Sequence, residues 1–167
     1  VVLQDFHIFS GTILDNIRLG DPTITRDIAV AAAKTVNAHG FISAQRDGYD
    51  TLLQERGSNL SQGERQLLAF ARVLAADPEV LVLDEATASI DTETELLIQD
   101  GLEKLMTDRT AILIAHRLQT IQQADKVLVL QSGEVIEYGS QQELLELKGL
   151  YHTLHELQFQ DLKTVPG

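Results

Sequence analysis

Two adjacent acids close a short apolar run, an arrangement suited to metal and water chemistry. Asp84 and Glu85 directly follow the apolar residues 80–83. Open α/β sheets bind their ligands at the carboxyl ends of strands, and successive side chains on a strand diverge. One carboxylate is therefore suited to holding Mg²⁺, and the other to deprotonating a water molecule. The simpler alternative is that the two acids only end the strand and cap the next element of the chain.

The sequence Leu60-Ser61-Gln62-Gly63-Glu64 could meet an anion. Ser61 and Glu64 match a capping box, in which each side chain binds a backbone N–H group of the first helical turn. A helix N-terminus with a serine hydroxyl presents donors to a phosphate, and a glycine lets the backbone approach closely. The alternative is a cap without a ligand, which accounts for Ser61 and Glu64 but leaves Gly63 unexplained.

One histidine and one glutamine could complete this polar set. His116 follows the apolar residues 111–115, so we expect it at the same sheet edge as the acid pair. A neutral imidazole there could bind a terminal phosphate and the attacking water. Gln4 follows three apolar residues and could bind Mg²⁺ or water. Taken singly, a histidine after a strand is more often structural, and a lone glutamine indicates almost nothing.

The composition narrows the class of protein in which these residues work. The chain has 167 residues, 44% of them hydrophobic and 23% charged, which indicates one globular domain with a core. The absence of cysteine excludes disulfides, zinc–thiolate sites and thiol nucleophiles. A net charge of −12 argues against nucleic acid, and would repel ATP unless Mg²⁺, a helix N-terminus or basic residues compensate. No signal peptide pattern and no apolar run near the roughly 20 residues of a membrane span are found.

Alternating helix and strand signals predict an α/β domain with a mainly parallel sheet. The residues 80–83 are continuously apolar, a pattern typical of a parallel strand covered on both faces. Helices are predicted at 13–19, 25–34, 37–45, from Ser61 to Asp77-Pro78, at 92–106, and from the capping box at Ser140 to about 158. Strands are predicted at 1–3, 80–83, 111–115, 126–130 and 135–138.

The order of these motifs resembles the ATP-binding cassette (ABC) family, and the resemblance extends over nearly the whole chain. Gln4 takes the position of the Q-loop, and 80–85 resembles the Walker B strand with its catalytic glutamate. His116 takes the position of the switch histidine. The remaining motifs are the signature, at Leu60, Ser61, Gln62, Gly63 and Glu64, and the D-loop, at Ala88, Ser89, Ile90 and Asp91.

Other stretches resemble the exporter branch of the family. Residues 9–17 are similar to the segment that follows the Q-loop in exporters. Gln54, Glu55, Arg56 and Gly57 look like the exporter loop that touches the transmembrane partner. The signature departs from the usual pattern, with Gln62 in place of a glycine and Glu64 in place of a glutamine.

The resemblance implies a P-loop NTPase-like fold, with a mainly parallel sheet, flanking helices and a helical subdomain that carries the signature. We expect about 12–78 to form this subdomain and the signature helix, 79–140 the sheet core, and 141–167 the C-terminal helices. No Gly-x-x-x-x-Gly-Lys-Ser/Thr sequence occurs in the chain. We therefore expect the domain to be incomplete, with its phosphate loop (Walker A) and adenine-stacking aromatic residue upstream. The chain alone is expected to bind ATP weakly and to hydrolyse it negligibly.

The resemblance further implies an ATPase that uses Mg²⁺ and couples hydrolysis to export of a substrate. Two such domains meet head to tail, and each ATP lies between one phosphate loop and the partner's signature. Glu85 would be the general base, His116 would bind the γ-phosphate, and Asp84 would hold the metal with Gln4, which also senses the attacking water. The signature would close on the partner's ATP, 88–91 would communicate across the dimer, and 54–57 would contact the membrane domain.

The same resemblance implies partners and a location. The partners would be a transmembrane domain, expected on the same full-length chain, and a second ABC ATPase domain, with no nucleic acid. The location would be the cytoplasmic face of the cell membrane, within an integral membrane transporter. Two other hypotheses stay open: a soluble cassette ATPase without a membrane domain, and a truncated partner that lends its signature helix without catalysing. The acidic charge weakens the first, and the presence of Glu85 and His116 weakens the second.

Overall fold

The computed structural model describes residues 7–84, 91–115, 121 and 124–163, with the backbone alone for 158–163 and no described side chain at 55. The chain forms two compact units, Val1–Ile114 and Ala115–Gly167. Both contain helices and strands, so the predicted α/β class is confirmed. Within the described ranges, no helix combines the length and the apolar character needed to cross a membrane.

The first unit is a helical layer with two short strand pairs. Its two strand pairs are β1–β2, which is antiparallel, and β3–β4, which is parallel. Short 3-10 turns occupy Gly48–Asp50 and Glu55–Gly57. The helices are α1 (Ile13–Arg18), α2 (Arg26–Thr35), α3 (His39–Ala44), α4 (Gln62–Ala76) and α5 (Thr92–Met106), and the strands are β1 (Gly11–Thr12), β2 (Leu52–Leu53), β3 (Val80–Asp84) and β4 (Thr110–Ile114).

From residue 127 to residue 163, the second unit is described as a hairpin followed by two helices. Strands β5 (Val127–Gln131) and β6 (Glu134–Gly139) pair antiparallel around Ser132 and Gly133, whose φ values of 53° and 85° suit a two-residue hairpin turn. Helices α6 (Gln141–Leu147) and α7 (Leu150–Lys163) follow. Among its described residues, the buried hydrophobic side chains Val129, Leu144 and Tyr151 pack together.

Helix α4 begins and ends where the sequence predicts. The hydroxyl of Ser61 accepts a hydrogen bond from the Glu64 N–H (3.2 Å), and the Glu64 carboxylate accepts one from the Ser61 N–H (2.7 Å). The helix ends at Asp77, which has a left-handed φ of 44°, just before Pro78. Its buried face joins the main hydrophobic core and includes Leu67, Leu68, Phe70 and Ala71.

The parallel pair β3–β4 is buried on one face only. Leu81 and Leu83 are 1% and 4% exposed and belong to the core, whereas Val80 is 54% exposed. On β4, Ile112 and Ile114 are also exposed. The expectation that the run 80–83 is covered on both faces is therefore wrong for this structure. Side chains alternate along a strand, and only the face that carries Leu81 and Leu83 packs on the helices.

Candidate functional site

The predicted site residues fall partly inside and partly outside the described ranges. Asp84 and Asp91 are described, as are the signature and the backbone of the stretch 54–57. Asp84 pairs with Ile114 across the parallel strands, and in the sequence Glu85 and His116 follow these two strand ends. The predicted residues that lie outside the described ranges are Gln4, Glu85, Ala88, Ser89, Ile90 and His116.

Asp84 has the chemistry that a magnesium ion requires. Its half-buried carboxylate stands at the carboxyl end of β3, and in the described part of the chain it makes no hydrogen bond or ion pair. Mg²⁺ usually takes one or two protein carboxylates and fills its other positions with phosphate oxygens and water. The described ranges contain no group of three or more acidic or histidine residues that could hold a metal alone. The Asp84 carboxylate fits the role of a single protein ligand to such an ion.

The N-terminus of α4 keeps donors free for an anion. The capping box occupies the N–H groups of Ser61 and Glu64. The N–H groups of Gln62 and Gly63 make no hydrogen bond within the described residues, because the first turn of a helix has no internal acceptors for them. Ser61 and Gln62 are exposed, and the Ser61 hydroxyl still has its own proton to donate. The helix dipole adds positive potential at this end.

Gly63 is required by packing between helices, which the sequence could not show. A Cβ placed on Gly63 would lie far inside van der Waals contact of the Thr94 methyl group, and 3.6 Å from Ile98 Cδ1. Thr94 belongs to the first turn of α5, and its N–H donates to the carboxylate of Asp91 at 2.9 Å. Hydrogen bonds from the N–H and hydroxyl of Thr94 hold the pKa of Asp91 below its usual value. Thr94 thus links the predicted signature and D-loop residues.

The predicted membrane-coupling stretch is tied to the signature by Arg65. The guanidinium of this α4 residue donates to the carbonyl oxygens of Leu60 (2.6 Å) and Gly57 (3.3 Å). Arg56 and Gly57 both have left-handed φ values, 58° and 63°. That conformation is strained by about 1 kcal/mol for a residue with a Cβ such as Arg56. Loop 54–57 and signature 60–64 therefore form one connected unit.

Two arginines of α4 were not predicted from the sequence. Arg65 binds the loop before the signature, and Arg72 binds the segment 7–16. The signal that could have found them is their spacing. The two arginines are seven positions apart, so they share one stripe of a helix that is otherwise apolar on its inner side.

A cleft opens beside the N-terminus of α4. Its volume is about 560 Å³, and it reaches from Ser61 and Glu64 to the corner between α2 and α3. Lys34, His39 and Thr94 also line it. The helix end and Lys34 bring positive potential to this place in a chain whose net charge is −12.

Comparison with known protein families identifies the family of this chain. The model of the family described as ABC transporter matches residues 1–88, which is more than half of the chain. The chain belongs to the ABC transporter family. The family resemblance inferred from the order of the motifs is thereby confirmed.

Relatives of this ABC family chain include bacterial and protozoan proteins. It is 53% identical over 159 residues to the uncharacterized ABC transporter ATP-binding protein YfiC of Bacillus subtilis, covering 95% of this chain and 26% of YfiC. It is 48% identical over 158 residues to the probable multidrug resistance ABC transporter ATP-binding/permease protein YheH of the same organism, covering 95% and 24%. Identity to multidrug resistance protein 1 of Entamoeba histolytica is 48% over 162 residues, covering 95% and 12%.

A solved structure agrees with this placement. The structure of a bacterial Atm1-family ABC exporter with ATP bound matches the present chain with a TM-score of 0.82 and 42% sequence identity. The match covers 93% of the present chain and 27% of the exporter chain. The chain thus spans about a quarter or less of the length of the proteins that it matches. The arrangement of its helices and strands is that of part of an ABC exporter ATPase domain.

Proposed function

We propose that this chain forms part of an ATP-hydrolysing domain whose turnover drives export of a substrate across a membrane. The observation that carries the proposal is the N-terminus of α4, where the N–H groups of Gln62 and Gly63 have no acceptor among the described residues. Ser61, at the same helix end, lines a cleft together with Lys34. Helix α5, which Asp91 caps, packs directly on this end. The named relatives and the ATP-bound exporter structure support the same assignment.

The residues proposed for hydrolysis are Asp84, at the end of β3, together with Glu85, His116 and Gln4. Asp84 would hold Mg²⁺, which neutralises developing phosphate charge when bound. Glu85 would accept the proton of the attacking water, and His116 would donate a hydrogen bond to the γ-phosphate. Gln4 would bind the metal and orient the same water molecule. Each of these groups would act on the metal, on the γ-phosphate or on the attacking water.

The signature would serve a second copy of the domain. In a head-to-tail pair, Ser61 and the N–H groups of Gln62 and Gly63 would bind the phosphates of the partner's ATP. Residues 88–91 would contact the partner at the shared interface. Residues 54–57 would contact a transmembrane domain, expected on the same full-length chain, which places the assembly at the cytoplasmic face of the membrane. Arg65 supports this assignment because it joins 54–57 to the signature.

The decisive experiment replaces the proposed base in the full-length parent. Glu85→Gln should lower ATP turnover by about 10²- to 10⁴-fold, because the amide cannot accept the proton. Binding of Mg-ATP should persist, since the metal and phosphate contacts remain. Turnover is measured by phosphate release, and binding by equilibrium dialysis with labelled ATP.

Glu79→Gln is the matched control, because Glu79 is an exposed acid at the opposite end of β3. It should leave both turnover and binding unchanged. Turnover of Glu85→Gln within a factor of about three of the parent would remove Glu85 from the role of base, given the size that base catalysis has.

A further inference from the structure

Arg72 ties the signature helix to a segment that lies far away in the sequence. Its Nε donates to the Asn16 carbonyl oxygen at 2.8 Å, and its Nη1 donates to the His7 carbonyl oxygen at 3.0 Å. A third bond runs from Nη2 to the side-chain oxygen of Asn16 at 3.2 Å. The Phe9 ring centre lies 5.7 Å from the guanidinium carbon, within the range of a cation–π contact.

Asn16 extends this connection to the backbone of the same segment. Its side chain is 1% exposed. Its amide oxygen accepts the Phe9 N–H at 2.9 Å, and its amide nitrogen donates to the carbonyl oxygens of Phe9 (2.9 Å) and Thr12 (3.1 Å). Asn16 therefore pairs with the Phe9 backbone much as a neighbouring β-strand would. Arg72 and Asn16 together hold the backbone polar groups of His7, Phe9 and Thr12.

The segment 7–9 is also held from its other side. Ile8 is 2% exposed and packs against Gly57, where an added Cβ would lie 3.0 Å from Ile8 Cγ1. Gly57 in turn accepts a hydrogen bond from Arg65 of α4. One stripe of α4 thus holds the segment through Arg72, and holds its packing partner through Arg65.

We propose that Arg72 is a positioning residue that makes the segment 7–12 and the signature helix move as one body when ATP binds. This inference rests on the proposed function, because it assigns a consequence to nucleotide binding. The segment begins three residues after Gln4 in the sequence, and α4 carries the signature at its N-terminus. A shift at either end is passed to the other through the guanidinium.

The chemistry of arginine explains why this residue type is present. Burial lowers the pKa of Arg72, and within the described residues no carboxylate pairs with it. Carbonyl and amide oxygens replace the water that the guanidinium has lost. Its planar donors reach three acceptors at once, whereas a lysine ammonium concentrates its charge at one point on a flexible stem. Arg72→Lys should therefore keep the charge and lose part of the connection.

The test measures hydrogen–deuterium exchange in the full-length parent, with and without Mg²⁺ and adenylyl imidodiphosphate. In the parent, nucleotide should protect amides of 60–66 and of 7–12 together. In Arg72→Gln, protection of 60–66 should remain while protection of 7–12 is lost, and Arg72→Lys should show a partial loss. Arg109→Gln is the matched control, because Arg109 also donates to backbone carbonyl oxygens, those of Leu105 and Thr107, and no bond of it to the described segment 7–12 is found. Arg109 also pairs with Asp77 at the C-terminus of α4, so this variant removes an arginine that contacts the same helix away from 7–12.

Each outcome decides the proposal. Protection that stays coupled in Arg72→Gln overturns it, and so does equal loss at both segments in a folded protein, which would indicate only general destabilisation. If Arg72→Gln does not fold, Arg72→Lys decides: coupling as in the parent overturns the proposal, and selective loss at 7–12 supports it. Absence of nucleotide protection at 60–66 in the parent would instead overturn the proposed function together with this inference.

Discussion

Glu64 combines two opposing effects in one carboxylate. It accepts the Ser61 N–H at 2.7 Å and so completes the cap of α4. It also places a negative charge beside the donors that we propose for the phosphates of ATP. The hydrogen bond turns the carboxylate back toward Ser61, but its charge remains within the first turn of the helix.

We predict that Glu64→Gln in the full-length parent lowers the KM for Mg-ATP by about two- to fivefold, the effect of removing one unfavourable charge at a helix end. Glutamine can still form the reciprocal cap, so the stability and kcat should change little. Steady-state ATPase rates at a series of Mg-ATP concentrations measure both constants. Glu79→Gln removes the same charge beyond the other end of α4, whose axis extends roughly 18 Å from Glu64 to Ala76, and should leave KM unchanged. An equal fall of KM in both variants would show an effect of net charge alone.

Glu143 repeats the capping arrangement at the start of α6 and gives it a pH dependence. The N–H and hydroxyl of Ser140, together with Lys126, lower the pKa of Glu143 from 4.5 to about 2. The folded pKa lies below the unfolded value, so this carboxylate stabilises the fold fully above about pH 4.5. The contribution is lost as the pH falls from there toward about 2.

We therefore predict that Glu143→Ala lowers the melting temperature by a constant amount between pH 5 and 7, and that the difference from the parent narrows below about pH 4.5. Thermal unfolding followed by circular dichroism at several pH values measures this difference. Glu146→Ala, a change at an exposed acid in the same helix, provides the comparison. A difference that stays constant down to pH 3 would contradict the assigned hydrogen bonds.

At the scale of elements, the contact between the first turns of α4 and α5 depends on the absence of a side chain at Gly63. We predict that Gly63→Ala destabilises the protein by roughly 1–3 kcal/mol, the usual effect of overpacking. Thr94→Ser removes the methyl group that the new Cβ would meet, so the double variant should recover most of this loss. Chemical denaturation of the single and double variants measures the coupling.

Gly40→Ala is the matched control for this experiment. Gly40 lies in α3, and a Cβ there would meet nothing within 4 Å. Alanine should stabilise that helix by about 0.5–1 kcal/mol because it loses less backbone entropy than glycine. If Gly63→Ala stays as destabilising when Thr94 is changed to serine, a contact other than the Thr94 methyl group demands glycine.

The predictions from sequence succeeded where the physical cause is local. The cap at Ser61 and Glu64 needs only residues three positions apart, and the end of α4 at Asp77 needs only the proline after it. The limits of α1 to α3 were predicted to within two residues for the same reason. By contrast, the partners of Arg72 lie 56 and 65 residues away, so its spacing from Arg65 could have marked the residue but not the groups that it binds.

Features of the candidate site that depend on packing between distant residues could not be predicted from the sequence. The capping rule explained Ser61 and left Gly63 open, because the methyl group that demands a glycine belongs to Thr94, on another helix. The apolar residues 80–83 predicted a strand correctly but its burial wrongly, since apolarity alone does not show which layer covers which face. The geometry of Gln4, Glu85 and His116 stays a prediction.

At the scale of the whole molecule, surface charge and exposed apolar surface act against each other. Val80, Ile112 and Ile114 leave one face of β3–β4 open, and such faces favour association. The net charge of −12 opposes association by repulsion, but repulsion reaches only about 10 Å at 0.1 M salt and about 3 Å at 1 M.

We predict that the 167-residue chain stays dispersed at low ionic strength and self-associates as salt is raised toward 1 M. Dynamic light scattering against salt concentration measures this. Changing Ile112 and Ile114 together to threonine should suppress the rise, because threonine keeps the strand preference and removes apolar surface. Leu52→Thr, at an exposed leucine of the antiparallel pair β1–β2, should not. If association does not change with the salt concentration, charge repulsion does not oppose association through the exposed apolar face.

The parallel pairing of β3 with β4 has a consequence for the order of events on the ribosome. Parallel strands require a crossover, here through α5, so Val80 and Ile114, at opposite ends of the pair, are 34 residues apart. At the usual rate of synthesis, roughly 2 to 7 s pass between the translation of these two residues. The same interval separates the emergence of these two residues from the ribosome, and during it β3 has no β4 to pair with and only the helices made before it, α1 to α4, to cover its apolar side chains.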